Sequence, residues 1–233
     1  FLEAPRVVDR PDVFDMLTWR DGEDPIAIAS DLIGAAGTAA IGDQTWAGFL
    51  VDFTSAMPGT SFSRASAITA PLRMVKDAAE VDALRRAAAA VDRILADVQA
   101  GNVVLAGRTE AAVAAEIAQR ILDEGHRKVN FTIVASGPNA ASPHHEAADR
   151  VIRDGEGVLF DIGGTMDGAD GVGYCSDITR CVHLGEPPSG FAELYEVLHE
   201  AQAAGVAAAT VGTPCEDVDA VARQVIGDAG YGE

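Results

Sequence analysis

The stretch that most constrains the fold runs from Gly157 to His183, GVLFDIGGTMDGADGVGYCSDITRCVH. It reads as two strands joined by a glycine-rich turn, each carrying an acid where a strand is normally apolar. Gly157-Val158-Leu159-Phe160 is a continuous apolar run, the pattern of a strand buried on both faces. Asp161 follows it directly. From Tyr174 the residues alternate: Tyr174, Ser176, Ile178, Arg180 and Val182 share one face, and Cys175, Asp177, Thr179 and Cys181 share the other. A hairpin of these strands lays Asp161 and Asp177 side by side. A buried, unpaired carboxylate costs several kcal/mol, so such acids must be neutralised, hydrogen-bonded or metal-bound. Spacing alone equally allows both to be turn residues at strand ends. Asp167 and Asp170, set among Gly164, Gly168, Gly171 and Gly173, read as turn residues. The acids do not alternate toward a closing Glu, which excludes a calcium loop. The glycines do not form a GxGxxG leading into a helix, which excludes a dinucleotide loop.

The same stretch resembles the first metal-ligand segment of the Xaa-Pro peptidases, the pita-bread metallopeptidases that include prolidase and aminopeptidase P. Asp161-Ile162-Gly163 matches the family's Asp-(Ile/Leu)-Gly, and Gly173-Tyr174-Cys175-Ser176-Asp177-Ile178-Thr179-Arg180 matches its Gly-Tyr-x-Ser-Asp-x-Thr-Arg. The connection between the two acids is a few residues longer than the family's, so the turn is expected to bulge outward. The resemblance implies an α/β (α+β) fold with a pita-bread catalytic domain and two divalent metal ions roughly 3.5 to 4 Å apart. It implies that Asp161 binds one ion through both oxygens and that Asp177 bridges both. Thr179, on the face of Asp177, is expected to support the ligands from behind. A bridging hydroxide would attack the carbonyl before proline in a dipeptide or at a peptide N-terminus. Hard oxygen ligands suit manganese, with cobalt or zinc as alternatives.

A second informative segment is Ser136-Gly137-Pro138-Asn139-Ala140-Ala141-Ser142-Pro143-His144-His145, a loop by composition. A His pair in such a loop reads on its own as solvated. No GxSxG surrounds Ser136, so a serine-hydrolase elbow is unsupported. In the Xaa-Pro peptidases this loop carries Pro-His a fixed distance before the Gly that opens the first ligand strand. Counted to Gly155, His144 fits that register and His145 is one residue off. The resemblance therefore makes His144 the site histidine, beside the metals and in contact with the scissile peptide. A neutral imidazole there can donate to a developing oxyanion or pass a proton. The role of His145 stays open.

Around these segments the chain alternates helices and strands. Val7-Val8 suggests a short strand, Pro25 to Gly37 a helix, Ala39 to Gly42 a strand, and Trp46 to Ala56 a helix stopped by Pro58-Gly59. Residues 1–70 thus resemble the later part of the family's small α/β N-terminal domain. Pro71 to Lys76 marks the entry into the catalytic domain, 71–233. Val81, Leu84, Ala88, Val91, Leu95 and Val98 recur at helical spacing between Lys76 and Ala100. Thr109 caps a further helix with Val113, Ile117 and Ile121 inward, and Val129 to Ser136 reads as a strand. Phe191 to Thr210 reads as a helix, and Thr213-Pro214-Cys215-Glu216 reads as a capping box opening another.

With 233 residues, 48% of them apolar, the chain can bury a sizeable core. A formal charge of −19 argues against nucleic acid and anionic membranes as partners. Three cysteines, two of them roughly 20 Å apart along one strand, form no disulfide framework. With no signal peptide or spanning run evident, a reducing cytoplasm is expected. The family's remaining ligands, one His and two Glu, lie in segments that do not occur in this sequence. A longer polypeptide, trimmed here at both ends, is expected, and the resemblance further implies a homodimer. Creatinase-like hydrolysis on the same fold, or an inactive member retained for peptide or protein binding, is the alternative reading.

Overall fold

The computed structural model describes residues 17–169 and 171–232. The strand expected at Val7-Val8 lies outside the described residues. The chain divides into two compact units, the first ending at Lys76 and the second beginning at Asp77.

In the first unit, α1 (Pro25–Ile33) starts where the Asp24 carboxylate accepts hydrogen bonds from the amides of Ile26 and Ala27. Gly34 closes it with φ +65°. Strand β1 (Thr38–Ile41) follows, then α2 (Ala47–Ala56) and β2 (Ser61–Arg64). β1 and β2 pair in parallel, Thr38 opposite Ser61 and Ile41 opposite Arg64. The α2 crossover supplies the connection that parallel pairing demands. Helix α3 (Ser66–Met74) holds Pro71 inside it, at the position where the sequence suggests a boundary. Trp46 is 80% exposed and stacks on Phe49, ring centroids 6.3 Å apart.

The second unit opens with α4 (Ala78–Gln99), whose start is fixed by reciprocal hydrogen bonds between Asp77 and Glu80. Then come α5 (Glu110–Asp123), β3 (Lys128–Ser136), a 3₁₀ turn over Gly137–Ala141, and β4 (Gly157–Asp167). The chain returns through β5 (Gly173–Cys175) and β6 (Ile178–His183). It ends in two helices packed on each other, α6 (Phe191–Ala208) and α7 (Cys215–Asp228). Helices α4 and α5 cover one face of the sheet. Val91 and Leu95 from α4, Val113, Ile117 and Ile121 from α5, and Val134, Val158, Phe160 and Ile162 from the strands fill one core. Each such side chain contributes about 1.5–3 kcal/mol on burial.

Strand β4 is central, antiparallel to β3 on one side and to β5 and β6 on the other. Three expectations change here. Val158 and Phe160 are buried but Leu159 is only half-buried, so this strand is covered on one face rather than both. The longer connection does not bulge outward. Instead it lengthens the hairpin, which keeps one register from Gly157–His183 to Asp167–Gly173. The reason is that each added residue on one arm meets an added residue on the other, so the ladder hydrogen bonds simply continue. At α7 the expected capping box is absent. Pro214 is the cap residue, and Thr213 contacts the Thr210 hydroxyl instead. No helix among the described residues is long and apolar enough to cross a membrane.

Candidate active site

The hairpin register decides how the two acids meet. Asp161 lies directly opposite Thr179, and Ile162 lies opposite Ile178. Continuing the count, Asp177 faces Gly163. The acids are therefore diagonal neighbours on one face of the ladder, not a directly opposed pair. Diagonal positions put Cα atoms about 7–8 Å apart, with side chains able to converge. That face points away from the α4–α5 core, since Val158, Phe160 and Ile162 point into it. The carboxylates accordingly avoid the full cost of burial: Asp161 is half-buried and Asp177 exposed.

Thr179 Oγ1 donates to Asp161 Oδ1 at 3.0 Å. The threonine thus holds Asp161, although it shares a strand with Asp177. Among the described residues, neither acid has an ion pair, and nothing donates a hydrogen bond to the Asp177 carboxylate. Two hard, uncompensated oxygen donors on one face suit a hard divalent cation. Among the described residues no three His, Cys, Asp or Glu come close enough together to hold a metal ion.

Asp177 sits in a two-residue break between β5 and β6, and its neighbour Ser176 is buried. The Ser176 hydroxyl meets His126 Nε2 at 2.9 Å and accepts from the Gly164 amide at 3.1 Å. Gly163 is required opposite Asp177. A Cβ there would strike the Ser176 carbonyl oxygen and come within 2.8 Å of the Phe131 ring. Phe131 follows a β-bulge in β3, between Val129 and Phe131, which swings it toward Gly163.

His144 has φ +56°, the one non-glycine residue with positive φ among those described. Such a conformation costs about 1–3 kcal/mol and persists only where surrounding contacts impose it. The residues on either side of His144 are tied to Glu110, which is fully buried in the first turn of α5. Its Oε1 accepts from the Ser136 amide and hydroxyl, both at 2.7 Å. Asn139 Nδ2 donates to both carboxylate oxygens, at 3.1 and 3.0 Å, and His145 Nε2 lies 2.8 Å from Oε2. Burial pushes the Glu110 carboxyl up, but the bonds from Ser136, His145 and Asn139 together outweigh it and hold the pKa below its ordinary value. The carboxylate is ionised and can only accept, so His145 Nε2 carries the hydrogen. Arg150 extends the network, donating to the Ser136 hydroxyl and pairing with Glu156 through two hydrogen bonds. The Arg150 bonds dominate in holding Glu156 down to a pKa of about 2.

One cavity of about 620 Å³ brings these parts together. His144, His145, Asp161 and Asp177 border it, with apolar walls from Ala111, Ala114, Phe131, Ile133 and Ala147. All three residues singled out in the sequence as ligand or site histidine thus face one space. Thr179 reaches it only through Asp161. Sequence reasoning missed Glu110, Asn139, His126 and the lock on Ser176. Glu110 follows the cap Thr109 and looks like any first-turn acid, and its partners lie 26 to 35 residues downstream.

Fold and acid pair together define an α/β unit of pita-bread type. The chain belongs to metallopeptidase family M24, whose profile matches residues 82–233. It is 44% identical over 216 residues to a protein named probable dipeptidase PepE of Mycobacterium tuberculosis, covering 92% of this chain and 56% of that one. A dipeptidase structure from Pyrococcus horikoshii superposes with TM-score 0.84 at 35% identity, covering 95% of this chain and 61% of the other. A prolidase structure from Thermococcus sibiricus gives TM-score 0.85 at 33% identity, with 99% and 62% covered. The chain spans little more than half the length of the curated relatives it matches.

Proposed function

We propose that the complete protein carrying this chain is a metal-dependent peptidase that hydrolyses the bond before proline, in dipeptides or at peptide N-termini. The observation that carries this reading is the shared cavity of His144, Asp161 and Asp177 in a chain of metallopeptidase family M24. Asp161 and Asp177 supply carboxylate oxygens to two divalent ions, manganese ahead of cobalt or zinc. When bound, the ions supply an activated water near neutral pH and Lewis acidity at the scissile carbonyl. Thr179 fixes one oxygen of Asp161 and leaves the other free to ligate. His144 donates to the carbonyl oxygen as negative charge develops there, the role of an oxyanion donor. Phe131, Ile133 and Ala147 give the cavity apolar walls. The family's further His and two Glu ligands have no counterpart in this sequence. The same reading makes residues 1–70 the remainder of a small α/β domain and 71–233 the first part of the catalytic domain. It also makes the protein a cytoplasmic homodimer.

The test is release of free proline from Ala-Pro and Gly-Pro by the complete protein. Activity is expected with added manganese, lost to a chelator and restored by the metal. Asp177→Ala is expected to abolish manganese binding, measured by calorimetry, and activity, while circular dichroism stays unchanged. No proline release from any Xaa-Pro substrate with manganese present would sink the reading. Full activity in Asp177→Ala would remove the ligand assignment.

A further inference from the structure

Two histidines stand side by side at the cavity, and the contacts around them are unequal. His145 is tied into the Glu110 network, with its side chain 16% exposed. His144 makes no hydrogen bond there and turns through a left-handed backbone into the cavity wall. We infer that Glu110 is a positioning residue: its buried carboxylate clamps His145 and Asn139, and so imposes the turn that presents His144 to Asp161 and Asp177. This rests on the proposed role of His144, and it assigns His145 a structural role.

The geometry makes the clamp rigid. The Glu110 amide donates to Arg150 O at 2.9 Å, and the next amide, of Ala111, donates to Ala148 O at 3.0 Å. The first turn of α5 is therefore stitched by its backbone to the segment after the histidines. Its Glu110 side chain is stitched to the end of β3 and the 3₁₀ turn before them. Residues 142–147 are held at both ends by the same helix terminus. Asn139 Nδ2 also approaches His145 Nε2 at 3.2 Å. Both atoms carry hydrogens when Glu110 is ionised, so that approach is packing, and Glu110 is the shared acceptor that makes it tolerable. A neutral residue at 110 cannot accept from Ser136, Asn139 and His145 at once. Glu110 touches neither Asp161 nor Asp177, so its effect on chemistry runs through the histidine turn alone.

The experiment is a double-mutant cycle in the complete protein with Glu110→Gln and His144→Asn; asparagine tolerates positive φ. With Ala-Pro as substrate, His144→Asn is expected to lower kcat by about 10²–10³-fold, as for loss of an oxyanion donor. Glu110→Gln is expected to lower kcat by roughly 10-fold or more through lost positioning, with KM and manganese content unchanged. The double variant should match His144→Asn alone. Independently of activity, His145 in the metal-free protein should resist diethylpyrocarbonate and become several-fold more reactive in Glu110→Gln, read by peptide mass mapping. A Glu110→Gln loss that is equally large in the His144→Asn background, or unchanged reactivity of His145, would overturn the inference. A fully active His144→Asn would instead overturn the role given to His144. Should Glu110→Gln fail to fold, His145→Gln and His145→Phe carry the test. Glutamine keeps a donor toward Glu110 and should retain kcat within about threefold, whereas phenylalanine should lose it. Equal loss in both would make His145 itself reactive and overturn the clamp.

Discussion

His126 shows how much a single residue position can carry. Its Nδ1 lies 3.1 Å from the Ile121 carbonyl oxygen and its Nε2 lies 2.9 Å from the Ser176 hydroxyl. A carbonyl only accepts, so Nδ1 holds the hydrogen and Nε2 accepts from Ser176. Burial is the main reason its pKa is lowered, which keeps the ring neutral in this arrangement. Gly164 makes room for it. A Cβ there would sit 2.8 Å from His126 Cδ2, from Ile121 Cγ2 and from the Lys128 carbonyl oxygen. Gly164→Ala is therefore expected to destabilise by about 1–3 kcal/mol or more, read as a lower denaturant midpoint. An unchanged midpoint would mean that the turn after α5 yields to the added methyl. Asp161, Asp177 and His144, which border one cavity, were singled out in the sequence by short motifs that resemble those of the Xaa-Pro peptidases. His126 and Glu110 were not, because their meaning depends on partners brought close only by folding, 50 residues away for His126 and Ser176.

Among the elements, α4 and α5 follow from periodicity alone. Their apolar residues recur every three to four positions, and in α5 Val113, Ile117 and Ile121 are buried as read. In α4 Val91, Leu95 and Val98 are buried, but Val81 and Leu84 are half-buried and Ala88 is exposed, and Ala83, Ala87, Ala90 and Ile94 complete the buried face instead. Their ends were less legible. Asp77 and Glu80 form the reciprocal cap of α4, the Asp77 amide donating to Glu80 at 2.8 Å and the Glu80 amide donating to Asp77 at 2.9 Å. The box expected at Thr213 does not form, since Pro214 stands as the cap itself. Asp77→Ala is expected to cost about 1 kcal/mol, measured by thermal or denaturant unfolding of the complete protein. No loss would show that tertiary contacts alone fix the start of α4. Strand β2 went unread because Ser61-Phe62-Ser63-Arg64 is short and polar. Only parallel pairing with β1 makes it a strand.

For the whole molecule, three perturbed groups give one direction of pH dependence. His126 has a lowered pKa in the folded state, so the unfolded chain binds that proton more readily. Its contribution is present above about 6.5 and is lost as pH falls below that value. Glu110 and Glu156 are also lowered, so their contribution is present above about 4.5 and is lost as pH falls through their folded values, about 2 for Glu156. Stability of the complete protein should therefore decline in two stages on acidification, one beginning near 6.5 and one below 4.5. Denaturant titrations across that range check it. In His126→Gln the upper stage should vanish and the lower stage remain; an upper stage that persists would assign it elsewhere.

The sequence by itself determined the helices of regular apolar period, the acidic hairpin and the resemblance to the Xaa-Pro peptidases. Each of these is written in short-range pattern, where neighbouring residues suffice to state the constraint. Tertiary structure alone decided that Asp161 and Asp177 sit diagonally, that Thr179 serves Asp161, and that the buried Glu110 at a helix start bonds Asn139 and His145. Those facts rest on ladder register and on hydrogen bonds between residues far apart in sequence, which exist only once the chain has closed on itself.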